Sequence, residues 1–308
     1  MDASRDTLSR TTRPTRSGNR MEPWIERAVR LAGLSAIFIV ALIFIFLIRL
    51  SLPALTRIPL SAFGDLRWYP IEERFGLVSL VVGSLLVTAV AVGIAVPLGL
   101  VTAIYLGEIA PPWLGDILKP LIEILAGIPS IVLGFVGWVA LAPLVQRLGA
   151  PTGLTAFTGG LILAYMALPT IISIAEDAID AVPKSYRDGS LALGATRWQT
   201  IYRVVLPAAR SGIVTAVMLG IGRAVGETMA VMMVTGNAAH VPRGTSMLFQ
   251  PVRTMTATIA AEMGEVARGG THYHVLFLIG ALLFLITFAI NSVAARLVGR
   301  RRTGEGGG

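Results

Sequence analysis

The stretch GRAVGETMAV, Gly222 to Val231, sets an arginine and a glutamate four residues apart among small and apolar residues. Between Ser211 and Pro242, Arg223 and Glu227 are the only members of the Asp, Glu, Lys and Arg set. An ionised side chain at the centre of a bilayer costs roughly 2.5–3.5 kcal/mol on insertion scales, so two of them call for a structural or a functional reason. Arginine stays protonated and presents a planar fork of donors, the form suited to an anion carrying several oxygens. Glu227, one helical turn on, can pair with Arg223 and hold it when no anion is bound. The competing reading is that the two simply neutralise each other and anchor helices. Against it, arginine before glutamate is the weaker order for an i,i+4 pair. Apolar residues also fill a purely structural role at lower cost.

Other chemistry is largely excluded. There is no G-x-x-x-x-G-K-[ST] phosphate loop, and the only lysines are Lys119 and Lys184. Neither a G-x-S-x-G elbow nor an H-E-x-x-H helix occurs. His272 and His274 in THYH form an H-x-H pair without a third ligand at motif spacing, a weak metal signal better read as polar residues opening the last apolar run. The chain has no cysteine, hence no disulfide and no thiolate site. Neither catalysis nor a cofactor of its own is expected.

The elements that must position Arg223 are membrane helices. Charged residues are 14% of the chain against about 25% in a soluble domain, and apolar residues reach 54%. Residues 31–48, 75–107, 124–146, 148–175 and 269–295 contain no Asp, Glu, Lys or Arg. Since about 20 helical residues cross the hydrocarbon core, six spans are expected near 31–50, 77–106, 118–146, 153–175, 207–236 and 273–297. The prediction is an all-α integral membrane protein, a single domain over 31–298. Short tails at 1–30, read as disordered, and at 299–308 flank it. Pro97, Pro129, Pro169 and Pro207 fall in four consecutive spans, suggesting helices that bend around a pathway. In the loop 51–76, Trp68 and Tyr69 suit an interfacial belt.

The net charge of +8 is a topology signal. Seventeen basic residues lie in the two tails, at Lys119 and in the connection 176–210, against about seven in the opposite loops. The positive-inside rule makes that richer side cytoplasmic, with both termini on it, and nucleic acid is not the expected partner. The connection itself reads as two short amphipathic helices. Pro183 begins the first and Gly194 permits a sharp bend between them, a form suited to docking on a partner.

At 188–213, DGSLALGATRWQTIYRVVLPAARSGI resembles the EAA motif of ABC importer permeases. Asp188, Gly189 and Ser190 stand for E-A-A, Gly194 is the motif glycine, and Leu206-Pro207 close it. Three departures are plain: Asp188 shortens the carboxylate, Gly189 weakens a helix by about 1 kcal/mol relative to alanine, and Ser211 replaces a later proline. GRAVGETMAV is similar to the permeases for tetrahedral oxyanions. With GETMAVMMVTGN and AGIPSIVLGF at 126–135, it resembles the phosphate importer's permeases, of the PstC type rather than the PstA type. The resemblance covers about 75–298.

That resemblance implies a type I ABC importer permease fold in the bacterial inner membrane, with a cytoplasmic coupling helix between spans four and five. It implies ATPase coupling through Asp188, Gly189, Ser190, Ala192, Gly194, Ala195, Leu206 and Pro207. The substrate pathway would hold Arg223, Glu227, Thr228 and Asn237. Its implied partners are a second, PstA-like permease, two PstB-like ATPase subunits that bind the ATP, and a PstS-like extracytoplasmic phosphate-binding protein. Sulfate or molybdate is the alternative substrate. A stand-alone channel or carrier is the reading of a different class.

Overall fold

A computed structural model describes residues 22–299; the tails at 1–21 and 300–308 lie outside the described residues. Among the described residues six helices are long and apolar enough to cross a membrane: Trp24–Arg57, Leu77–Ile109, Ser130–Arg147, Ala156–Asp180, Arg197–Gly226 and Thr271–Val293. The chain divides into two compact units, Met1–Phe46 and Leu47–Gly308. The described part of the first unit is helical. Helix α1, Glu22–Arg57, starts inside the region read as a disordered tail. Arginine and glutamate are good helix formers, and Arg30 pairs with Glu26 at i,i+4, 2.6 Å apart. Leu34, Ile37 and Phe38 are exposed, as on a helix apolar all round that lipid would solvate.

In the second unit, α1 runs through Pro53 to Arg57, so the loop is shorter than expected. It holds a short α2, Leu60–Phe63, and a two-stranded antiparallel ribbon of β1, Trp68–Tyr69, and β2, Arg74–Phe75. Span two is α3, Leu77–Ile104, continued by a π-helical stretch Tyr105–Ile109. Helix α4, Pro112–Ala126, precedes α5, Ser130–Val136, which passes through a π-helical stretch 137–141 into α6, Ala142–Arg147. Span four is α7, Ala156–Asp180, and the hairpin after it is α8, Lys184–Ala192, and α9, Arg197–Thr200. A π-helical stretch Ile201–Val205 leads into α10, Leu206–Gly226, which is followed by α11, Met229–Val234. Then come α12, Met255–Glu262, and α13, Thr271–Gly299.

Helix α7 is the most buried of the six, and small residues let its neighbours approach. A Cβ on Gly99 of α3, or on Gly220 of α10, would run into Ile171 of α7. Val87, Ala91, Leu163, Met166, Ala224 and Val231 form one apolar core across α3, α7, α10 and α11.

Two spans differ from the expected continuous helices. The predicted span 118–146 is broken at Gly127–Pro129, where Pro129 (φ −58°, ψ 135°) caps α5. Proline has no N–H to donate and biases Ile128 away from helical geometry. Pro97 and Pro169, by contrast, lie inside unbroken helices, and Pro207 sits in the first turn of α10, so only Pro129 marks an interruption among the four. The predicted span 207–236 is shifted and also broken. Its helix runs from Arg197 to Gly226 and stops at Glu227 (φ −68°, ψ 137°) and Thr228 (φ −123°, ψ −59°).

Candidate functional site

The two breaks are joined by Arg223. It lies in the last turn of α10 and reaches back to Ala126, the last residue of α4, whose carbonyl accepts from Nη2 at 3.3 Å. Its Nη1 donates to Thr170 Oγ1 on α7 at 3.4 Å. The last carbonyls of a helix have no partner within it and carry its negative dipole end, so a guanidinium there is favourably placed. Thr170 follows Pro169.

Arg223 and Glu227 do not pair, which corrects the reading drawn from their spacing. The i,i+4 geometry needs a continuous helix, and the helix ends between them. The Glu227 carboxylate turns instead to α11, accepting from the N–H of Ala230 at 3.2 Å. Its main-chain carbonyl accepts from Thr256 Oγ1 of α12 at 2.8 Å. Among the described residues no carboxylate forms an ion pair with Arg223; only neutral oxygens hold it.

Thr228 lies in the same break, its hydroxyl donating to Gly226 O at 3.3 Å. Asn237 lies past the end of α11. It follows Gly236 (φ 77°) in the left-handed region (φ 50°), and its amide donates to Met232 O at 2.8 Å. That bond ends α11, and none joins Asn237 to Arg223. Sequence reasoning missed Thr170 and Ala126 O. The signals were the proline before Thr170 and the Gly-Ile-Pro after Ala126.

The hairpin after span four matches its sequence signals. Helix α8 begins after Pro183, and Gly194 takes φ 83°, a left-handed conformation that side chains with a Cβ resist. Thr196 and Gln199 form a reciprocal capping box that starts α9. Asp188, Gly189 and Ala192 are exposed, Ala195 is half-buried, and Ser190 Oγ lies 3.0 Å from Thr200 Oγ1 across the hairpin. Leu206 is half-buried and Pro207 exposed, both in the first turn of α10. Leu193 is 91% exposed, with Tyr186, Leu191, Trp198 and Tyr202 also open, so the hairpin and the start of the next helix carry several unburied apolar side chains.

On the opposite loops, Glu262 joins Arg253 at 2.6 Å, His272 Nε2 at 2.8 Å and the Trp68 indole N–H at 3.0 Å. Burial pushes the Glu262 carboxyl up, yet the hydrogen bonds from His272 and Trp68 and the Arg253 charge outweigh it and hold the group below its ordinary range. Trp68 is therefore no lipid-facing belt residue; it is 1% exposed. His274 Nδ1 lies 2.8 Å from Leu50 O, and no metal-ligand cluster occurs among the described residues.

Six helices able to cross a membrane among the described residues, the breaks after α4 and α10 that Arg223 spans, and an exposed hairpin define an all-α membrane permease. Residues 95–304 match the family described as binding-protein-dependent transport system inner membrane component, and the chain belongs to that family. It is 40% identical over 247 residues to a probable ABC transporter permease, YqgH, of Bacillus subtilis, covering 79% of each chain. It is 38% identical to the phosphate transport system permease PstC of Pasteurella multocida, covering 78% of this chain and 79% of that one. Among solved structures, a bacterial ABC transporter involved in import of the acidic polysaccharide alginate aligns over 92% of this chain and 99% of its own. The TM-score there is 0.60 at 15% identity. The inward-facing MetNI methionine ABC transporter aligns over 72% of this chain and 93% of its own, with a TM-score of 0.53 at 22% identity. These two likenesses bear on the fold alone, and that fold is the ABC importer permease fold the motif implied.

Proposed function

We propose that this chain is the phosphate-conducting permease subunit of an ATP-driven importer in the bacterial inner membrane. The observation that carries the reading is Arg223, a cation at a double helix break whose resting partners are a carbonyl and a hydroxyl. Phosphate bears between one and two negative charges near neutral pH, and an arginine fork matches its oxygens. Interrupted helices lining a cavity are the usual form of a substrate site within a membrane. The relatives named as phosphate permeases support the choice of anion.

In this reading, both termini and the hairpin 184–200 face the cytoplasm. The hairpin docks on one of two separate PstB-like ATPase subunits, which bind the ATP. A PstA-like second permease completes the pathway, and a PstS-like binding protein delivers phosphate from outside. Glu227 shapes the break rather than neutralising the arginine. ATP-driven uptake by the whole complex in proteoliposomes, comparing phosphate, arsenate, sulfate and molybdate, tests the assignment. Phosphate and arsenate uptake is expected; sulfate uptake without phosphate transport would overturn it.

A further inference from the structure

Arg187 is set in α8, one residue before Asp188, yet its side chain turns away from the exposed hairpin surface. Its Nε and Nη2 both donate to Glu108 Oε1, at 2.9 and 2.6 Å. Nη2 also donates to Ile179 O at 2.9 Å, and Nη1 donates to Val182 O. The Glu108 side chain is 9% exposed and that of Arg187 20%. Glu108 belongs to the π-helical stretch that ends span two, where Gly107 packs against Ile179 of α7. One guanidinium therefore ties α8 to the cytoplasmic ends of α3 and α7 together. Among the described residues it makes the only side-chain hydrogen bonds from α8 to the ends of spans two and four, while Ser190 Oγ, 3.0 Å from Thr200 Oγ1, joins α8 to the start of the helix that continues into α10.

We propose that the Arg187–Glu108 pair is a positioning latch that delivers movement of α8 to spans two and four, separately from the covalent route through Gly194 into α10. The inference rests on the chain being an ATP-driven permease. Charge is the reason for assigning it a role beyond packing. A largely buried ion pair contributes little net stability over apolar residues of similar size, because both ions lose their hydration. What it supplies is a link of fixed direction, four bonds from one planar group, where an apolar contact would slide. No atom lies within 4 Å of the place a Cβ on Gly194 would occupy, and α8 is held to α9 there by the bond from Ala195 N–H to Ser190 O at 3.2 Å and by the Ser190–Thr200 hydroxyl contact, neither of which reaches span two or span four. Without the latch, α8 and α9 still act on α10, but a docked ATPase moves the hairpin without moving spans two and four. The π-helical geometry around Glu108 fits such a use, for these wider turns concentrate at functional positions.

The test uses the complete importer in proteoliposomes. Glu108→Gln leaves the hairpin surface untouched, so the ATPase should still co-purify and hydrolyse ATP. Phosphate moved per ATP should fall by roughly tenfold or more, within the range over which coupled sites act on one another. The chain has no cysteine, so Glu108→Cys/Arg187→Cys can be joined by a bifunctional maleimide spanning the gap the two long side chains leave. Joining the thiols should restore phosphate moved per ATP, which a merely structural role would not do. An unchanged ratio in Glu108→Gln overturns the latch, as does a double-cysteine variant that assembles, is cross-linked and stays uncoupled. The wild-type complex run alongside separates the two readings: no phosphate uptake there overturns the proposed function, whereas failure of the latch shows only in the variants.

Discussion

Replacing Arg223 by glutamine separates a cation that serves an anion from one that serves the fold. Its two hydrogen bonds, at 3.3 and 3.4 Å, are longer than the 2.7–3.2 Å of ordinary N–H···O bonds. Each therefore falls at or below the low end of the usual contribution of about 0.5–1.5 kcal/mol, so assembly and thermal stability should change little. The loss in transport is larger. A unit charge about 4 Å from another, at an effective dielectric of about 20, interacts by about 4 kcal/mol. At about 1.4 kcal/mol per tenfold, uptake by Arg223→Gln should fall by about three orders of magnitude. Arg223→Lys should be impaired as well, because a point-like ammonium does not reproduce the fork. Since Arg223 and Glu227 are not paired, Arg223→Gln/Glu227→Gln should be no better than Arg223→Gln alone. Initial rates of labelled phosphate uptake, normalised to assembled complex, provide the measurement. Uptake within tenfold of wild type in Arg223→Gln, or its recovery in the double variant, would refute the reasoning.

Three further outcomes are expected. Gly194→Leu must place a branched side chain at φ 83°, a cost of about 1–2 kcal/mol, and should uncouple transport while the protein stays in the membrane. Gly194→Asn should retain coupling, and uptake per ATP decides between them. Because the Glu262 carboxyl is held below its ordinary range, its contribution to stability is present above that range and is lost as pH falls through the depressed value. Glu262→Gln should thus melt below wild type at pH 7, with the gap closing in acid; equal melting at pH 7 would contradict this. Single cysteines at Ser61 and Gly244 should react with an impermeant thiol reagent on intact cells and one at Ser185 should not, and labelling at 185 from outside would reverse the topology.

The number of spans was legible because length and apolarity alone decide it, and the hairpin because Pro183 and Gly194 act locally. The breaks were not. Hydropathy runs without a gap through Ala126–Ser130 and is interrupted by charge, not by backbone, at Arg223–Met229. The stop at Gly226 is accompanied by Ala230 N–H reaching the Glu227 carboxylate, a local contact, and by Thr256 reaching the Glu227 carbonyl, a contact 29 residues apart that no local pattern encodes. The same blindness hid Trp68, whose burial depends on Glu262, 194 residues away. A tryptophan near a span end reads as a belt residue until its partner is known.

The unbroken helix from Arg197 to Gly226 has a mechanical consequence. It meets α7 at Gly212, against Ala178, and at Gly220, against Ile171; for a turn about the second contact, at 1.5 Å per residue, about 35 Å of rod lies on the hairpin side against about 5 Å on the side of Arg223. Turning about Gly220, the rod is a lever with a ratio of roughly seven to one. A stroke of several ångströms at its hairpin end would then arrive at the guanidinium as a shift below one ångström, with the force multiplied in proportion. Two bonds already stretched to 3.3 and 3.4 Å require no more than that to part.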